Sequence, residues 1–421
     1  MRTIYTLFFY LLLPFVLLRL GFKAFRNPAY RAYWYERIGI KLRSVQPHSL
    51  WIHAVSVGES LAIIPLIKIL QKKYPQHTFL VTNETPTGAA RIHAELGDSV
   101  MQLYAPYDVP CIVKRFLAAT QPQLLILVET ELWPNYLALC KTANIPVVLL
   151  NARLSASSMR GYQRIAGLAR TMMNNLSYVA AQTQEDGLRF QQLGLASERI
   201  QITGSLKFDR PLPEDLRTRA HTLRQRWGCD RLVWIAASTH ESEEELILQA
   251  FSTAQKKLPT LLLVLVPRHP ERCIRVKNIC LRHNKRVVLH SQYQTHTSRI
   301  DIIIGDTMGE LLIWYAASDI AFIGGSLLNK GGQNPLEPAA VGISIITGPY
   351  TYNFQAIQSA LQANGAALEV HTASELSQTI IKLSQSPQER AQMGRAAKEF
   401  VAENKGALQK QINLLKSFIP K

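Results

Sequence analysis

Residues 49–73, SLWIHAVSVGESLAIIPLIKILQKK, decide how this chain folds. Apolar residues follow one another in SLWIHAVS rather than alternating with polar ones, as a strand buried on both faces requires. An amphipathic stretch, 59–73, comes directly after it, so the segment reads as the first half of a strand–helix–strand unit. Gly58 is read as the tight turn out of the strand, and Glu59 as the first residue of the helix. There its negative charge suits the positive end of the helix dipole, which would keep it ionised at neutral pH.

The same alternation extends outward. TFLVTN, LLILVET, PVVLLNA, YVAAQT and IQITGS read as further strands, separated by helix candidates at 87–96, 111–120, 135–144 and 162–176. A polar, proline-marked and charge-dense stretch at 207–231 then reads as a linker. A second alternation follows, with strands in LVWIAAST, TLLLVLVPR, RVVLHS, DIIIGDT, IAFIGGS and SIITGP and helices at 241–257, 309–317, 353–363 and 374–384. The expected architecture is α/β: two Rossmann-like, doubly wound domains, 26–220 and 221–421, facing a cleft. Residues 386–416 read as helix that packs back on the first domain.

Lysine and arginine outnumber aspartate and glutamate 47 to 30, giving a formal charge of +17 that favours an anionic partner. The five cysteines contain no C-x-x-C pair, and neither H-E-x-x-H nor D-x-D occurs, so no motif points to a disulfide framework or a bound metal. Residues 4–18, IYTLFFYLLLPFVLL, are apolar and uncharged, and as a helix would reach about 22 Å against roughly 30 Å of hydrocarbon. Arg19, Lys23, Arg26, Arg31, Arg37, Lys41 and Arg43 follow in place of a small-residue cleavage site. Residues 1–25 therefore read as a membrane anchor whose cationic flank lies on the cytoplasmic side.

Chemistry-bearing residues collect at strand ends. In the first half VETELWPN places Glu129 and Glu131 after a strand, and Lys207 and Arg153 are expected in the same cleft as Glu129. Such a carboxylate–lysine set either forms a structural salt bridge or stabilises charge in a transfer reaction. In the second half, PRHPER places Pro267, Arg268 and His269 after a strand, and GDTMGEL places Met308, Gly309 and Glu310 at a helix start. GGSLLNKGGQNPLEPAA is a glycine-rich loop whose Asn334, Pro335, Leu336 and Glu337 open a helix. Glycines let backbone approach a phosphate and a helix start offers free N–H groups, so this half reads as a nucleotide site. Glu337 is either a favourable helix-start charge or an acceptor for ribose hydroxyls. His53 reads as a core histidine.

Taken together, SVGES, PTG, YAPYD, ETELWPN, NARLS, TGSLKFD, PRHPER, GDTMGEL, GGSLLNKGGQNPLEPAA and GPYTYNF resemble the 3-deoxy-D-manno-octulosonate (Kdo) transferases of lipid A biosynthesis, inverting glycosyltransferases of the GT-B fold. The resemblance implies transfer of Kdo from CMP-Kdo to the tetra-acylated lipid A precursor, at the cytoplasmic face of an inner membrane. It implies Glu59 as proton acceptor and Glu129 and Lys207 as transition-state stabilisers. Pro267, Arg268, Met308, Gly309, Glu310, Asn334, Pro335, Leu336 and Glu337 become contacts of the CMP moiety. No metal or other cofactor is expected, since helix starts and Arg268 could offset a single phosphate.

Two other readings keep some of these features. One is a GT-B enzyme or epimerase acting on a uridine diphosphate sugar. The other is a non-catalytic membrane or nucleic-acid binder, against which stands the lack of an aromatic-interleaved basic motif.

Overall fold

The computed structural model describes residues 1–43, 48–293 and 300–420, which divide into two compact units. The first comprises Met1–Pro211 and Asn404–Lys421, the second Leu212–Glu403.

The first unit is built on seven parallel strands: β1 (Ser49–His53), β2 (Phe79–Asn83), β3 (Met101–Tyr104), β4 (Pro122–Val128), β5 (Val147–Ala152), β6 (Tyr178–Ala181) and β7 (Ile200–Ile202). Their order is β3-β2-β1-β4-β5-β6-β7. Alternate residues face opposite layers of helices. Trp51, Leu80, Leu125, Leu127 and Leu149 pack to one side, while Leu50, Ile52, Val81, Ile126 and Leu150 pack to the other. Both faces being apolar is why these strands read as unbroken hydrophobic runs. Truncating a fully buried member such as Ile52 or Leu125 to alanine would cost about 2–5 kcal/mol.

The second unit repeats the plan with β8 (Val233–Thr239), β9 (Leu262–Pro267), β10 (Val287–Leu289), β11 (Ile302–Ile304), β12 (Ile320–Ile323), β13 (Ser344–Thr347) and β14 (Ala367–Glu369). The order is β10-β11-β9-β8-β12-β13-β14. Strand order reverses between β1 and β4 in the first sheet and between β8 and β12 in the second. Loops leaving the carboxyl ends of those pairs splay apart there, opening the crevice where doubly wound sheets bind ligands.

Several expectations need correcting. The division falls at Pro211/Leu212, not at 220/221, because Leu216–Trp227 is a helix of the second unit and not a linker. Its Leu216, Ala220, Leu223 and Trp227 are buried at helical spacing, and Arg224 pairs with Asp319 at 2.8 Å. The charge density belongs to its outer face. Of the stretch 386–416, Pro387–Glu403 stays with the second unit, while residues from 404 onward return to the first as expected: the Asp209 carboxylate accepts from the backbone N–H groups of Gly406 and Leu408, both at 2.7 Å. Ile412, Leu415 and Ile419 complete the core on the Leu50 side of the sheet. The helix expected over 162–176 is two helices, Ala156–Arg164 and Ala166–Asn175. β3 and β14, the edge strands MQLY and ALE, were not expected, their apolar runs being broken by Gln102 and Glu369.

The N-terminal helix runs from Arg2 to Arg26, 25 residues and about 37 Å, longer than the uncharged run alone suggests. Among the described residues it is the one helix long and apolar enough to cross a membrane, and Leu20 is its one buried residue.

Candidate active site

In the first unit the chain leaves β1 through Ala54 and Val55 and caps the next helix, Val57–Lys73, with Ser56. Ser56 Oγ accepts from the Glu59 N–H at 3.3 Å and donates to Glu59 Oε1 at 2.7 Å, while the Val55 N–H donates to Oε2 at 2.8 Å. This reciprocal arrangement is a capping box, and it answers locally why a carboxylate sits at this junction. The helix begins two residues earlier than expected. Gly58 lies inside its first turn with no left-handed backbone, and a Cβ there would meet only Ser56 Oγ, at 3.8 Å. The exit turn therefore does not depend on glycine.

Glu59 is buried, and burial pushes its carboxyl above the usual range. The bonds from Ser56 and Val55 oppose this, and the charge of Glu129 adds to it. The expectation that the dipole simply keeps Glu59 ionised thus gives way to a balance between burial and hydrogen bonding.

Across the strand-order reversal, the loop after β4 carries two more carboxylates. Glu129 sits in the left-handed region at φ 62°, a conformation costing a non-glycine residue about 1–3 kcal/mol. It is held by its N–H to the Leu150 carbonyl at 3.0 Å, and its side chain pairs with Lys207 Nζ at 2.7 Å. Lys207 arrives from the turn Leu206–Asp209, beyond β7. That turn is tied to the end of β5, where buried Asn151 accepts the Leu206 N–H on Oδ1 at 3.0 Å. Arg153, expected beside Glu129, reaches it through backbone alone, N–H to carbonyl at 3.4 Å.

Glu131 is the residue the sequence left without a role. Burial, then the like charges of Glu59, Glu84 and Glu129, push its carboxyl up to about 7, against the Trp133 indole N–H donating to it at 3.0 Å. The charges of Glu59, Glu84 and Glu129, from the loops after β1, β2 and β4, thus all act on Glu131, while Lys207 pairs with Glu129 and the charges of Arg37 and Lys23 act on Glu84. His53 is a buried core histidine, its Nδ1 2.9 Å from Thr82 Oγ1, and burial lowers it to about 3.

The second unit arranges the opposite charge. Its glycine-rich loop follows β12, and Gly324 is required there: a Cβ would come within 2.5 Å of the Ser238 carbonyl oxygen. The fully buried Glu243 fixes this loop. Its carboxylate accepts from the N–H groups of Gly325 at 2.7 Å, Ser326 and Leu327 at 3.1 Å, and His240 at 3.2 Å. Loops on both sides of the reversal are thereby tied together. Its neighbour Glu244 is gripped by Arg272 through bonds of 2.7 and 3.1 Å.

His240 faces His269, with ring centroids 6.2 Å apart, and Gln333, with the two Nε2 atoms 3.1 Å apart. Burial lowers its pKa, and the charges of His269, Arg268 and Lys330 lower it further, so cations crowd this point. Sequence reasoning missed His240, whose signal is its place at the end of β8.

The other expected residues lie where the sequence put them along the chain. Pro267 ends β9, and exposed Arg268 follows, its N–H on the Thr239 carbonyl at 2.9 Å. Met308 is exposed, Gly309 takes φ 83°, and Glu310 accepts from Thr307 Oγ1 and lies 3.7 Å from Arg219. Asn334 Oδ1 accepts the Leu336 N–H at 3.1 Å, and Pro335 caps a helix of only six residues, Leu336–Val341, with Glu337 in its first turn. β9 and β11 are neighbours, so the Arg268 and Met308–Glu310 loops leave adjacent strands.

Residues 32–210 match the family described as 3-deoxy-D-manno-octulosonic-acid transferase (kdotransferase). A 3-deoxy-D-manno-octulosonic acid transferase of Haemophilus influenzae is 40% identical over 421 residues, covering 99% of both chains. One from Bordetella pertussis is 34% identical over 398 residues, 91% of each. The solved structure of a glycosyltransferase from Rickettsia africae shares the fold with a TM-score of 0.57 at 15% identity, over 89% of this chain and 100% of that one. With both sheets wound as in GT-B neighbours and with kinship along its whole length, the chain belongs to the 3-deoxy-D-manno-octulosonic acid transferase family and is a glycosyltransferase.

Proposed function

We propose that the enzyme transfers Kdo from CMP-Kdo to the tetra-acylated disaccharide bisphosphate precursor of lipid A, with inversion, at the cytoplasmic face of an inner membrane. The observation that carries this reading is the contrast of charge at the two strand-order reversals: mutually repelling carboxylates, with Lys207 paired to Glu129, in the first unit, and cations beside His240 and the glycine-rich loop in the second.

An incoming acceptor hydroxyl oxygen bonds to the anomeric carbon while the bond from that carbon to the phosphate oxygen breaks and CMP departs. Glu59 takes the hydroxyl proton. Its carboxylate is oriented by Ser56 and Val55, and burial brings its proton affinity closer to neutrality, where a general base works best. Lys207, positioned by Glu129, offsets negative charge at the reacting centre, including the carboxylate that Kdo carries beside its anomeric carbon.

Arg268, with His240, His269 and Lys330 near it, offsets the charge that develops on the leaving phosphate. Pro267, Met308, Gly309, Glu310, Asn334, Pro335, Leu336 and Glu337 complete the CMP contacts, Glu337 taking the ribose hydroxyls. No metal takes part, and the N-terminal helix holds the enzyme at the membrane.

The test is transfer by the purified enzyme. Product should form from CMP-Kdo with an excess of chelator present, and CMP should inhibit more strongly than UMP or UDP. Preference for UDP would transfer the argument to a uridine diphosphate sugar, and loss of activity on chelation would end the metal-free mechanism.

A further inference from the structure

We infer that the helix Arg2–Arg26 lies in the plane of an anionic bilayer, sunk by one face into a single leaflet, and does not cross it. This deepens the membrane placement proposed above and rests on it.

One face of the helix is fastened to the body of the first unit near its start, and its other end packs on the segment that leads into that unit. Close to its start, Tyr5 donates its hydroxyl to Asp108 Oδ2 at 2.9 Å and Thr6 Oγ1 donates to Asn135 Oδ1 at 3.0 Å. Asp108 is itself buried and accepts from the N–H groups of Asn135 and Tyr136. Phe9 sets its ring against Trp133, centroids 6.5 Å apart. Near the other end, Leu17, Leu20, Gly21 and Ala24 line a groove with Tyr30, Arg31 and Trp34, and Arg31 Nε donates to the Ala24 carbonyl at 2.9 Å. From there the chain enters the unit through buried Glu36 and Arg37. A spanning helix needs its ends on opposite sides of roughly 30 Å of hydrocarbon and lipid all around it. Here the start is bonded to the body of the unit that the other end enters through Glu36 and Arg37.

The opposite face carries Ile4, Phe8, Leu11, Phe15, Leu18, Phe22 and Phe25, which form one continuous stripe and are each between 56% and 78% exposed. Such a stripe requires an apolar cover. Its steps of four and three residues would also serve a coiled-coil seam with a second copy. Charge decides between the two. No aspartate or glutamate occurs before Glu36, while Arg2, Arg19, Lys23, Arg26 and Arg31 flank the stripe. Paired copies would juxtapose like charges, whereas anionic headgroups complement them, with long cationic side chains reaching from an apolar bed to the headgroup level.

The experiment uses the full chain with an epitope tag ahead of Met1, bound to vesicles of phosphatidylglycerol and phosphatidylethanolamine and treated with protease from outside. The tag should be lost together with the outward-facing enzyme. A tag protected inside vesicles whose outer enzyme is digested means a spanning helix, and a tag already missing from the mature chain means a cleaved leader; either overturns the inference.

In parallel, Leu11→Asp/Phe15→Asp should lower partition into these vesicles at least tenfold, and transfer to an acceptor sugar without acyl chains should be unchanged. Unchanged partition, or a wild-type dimer that this variant breaks while vesicle binding persists, would likewise overturn it. Failure of wild-type transfer from CMP-Kdo with the tag result intact would strike the functional reading alone.

Discussion

The two strand-order reversals use the same residue type in opposite ways. In the second unit, Glu243 and Glu244 are fully buried and their oxygens are occupied, one by four backbone N–H groups and the other by Arg272 and Thr239. They shape loops. In the first unit the charges of Glu59, Glu84 and Glu129 raise Glu131, and that of Glu129 raises Glu59. Burial and the charge of Glu244 raise Glu243 as well, so the difference lies in the partners: Glu243 is enclosed by loop N–H groups, while Glu131 is raised among carboxylates of neighbouring loops.

The largest break in that comparison should come from Glu59→Gln. The amide keeps one acceptor for the Ser56 or Val55 bond but takes no proton, so transfer should fall by on the order of 10³-fold while CMP binding is retained. Rate and equilibrium binding measured on one preparation check this, and near-normal turnover would remove Glu59 from the role of base.

Glu243→Ala should instead act on stability. It strands the loop N–H groups of Gly325, Ser326 and Leu327, costing about 3 kcal/mol, and should weaken donor binding more than the acid site. Thermal unfolding with and without CMP measures both, and an unchanged melting temperature would mean that the loop holds itself.

Arg268→Ala should raise the donor KM about tenfold with little change for the acceptor, as loss of one charge-assisted contact implies. An unchanged donor KM would take Arg268 out of the phosphate site.

The smallest effect sharpens the comparison through pH. Glu131 has a folded pKa raised to about 7 against an ordinary value of 4.5, so the folded state holds the proton more tightly than the unfolded one. Its contribution to stability is full below pH 4.5 and is lost as pH rises through 7. Glu131→Gln removes that loss, so the melting temperature of the variant relative to wild type should climb between pH 4.5 and 7. A constant difference across that window would show that Glu131 titrates normally.

Much of this was legible in the sequence because both sheets are covered on two faces, which writes the strands as unbroken apolar runs. β3 and β14 escaped because Gln102 and Glu369 break their apolar runs, whereas β10, an equally short edge, is an unbroken apolar run. Leu216–Trp227 was mistaken for a linker because its charged outer face outweighs four apolar residues, although the spacing of Leu216, Ala220, Leu223 and Trp227 is helical. The residues at strand ends could be named from position alone. What position does not carry is the number of partners each finds, so Glu131 and His240, whose character comes from neighbours distant in sequence, went without roles. Of the two cations expected in the cleft of Glu129, Lys207 pairs with its carboxylate, while Arg153 meets it through the backbone.

The return of Asn404–Lys421 to the first unit bears on how the protein is made. Synthesis runs from the amino end, so the second unit can fold completely while the first still lacks Ile412, Leu415 and Ile419 on the Leu50 side of its sheet. Until residues 404–421 follow, the nascent chain therefore holds the earlier unit as an incomplete domain, sealed by a segment made after its neighbour.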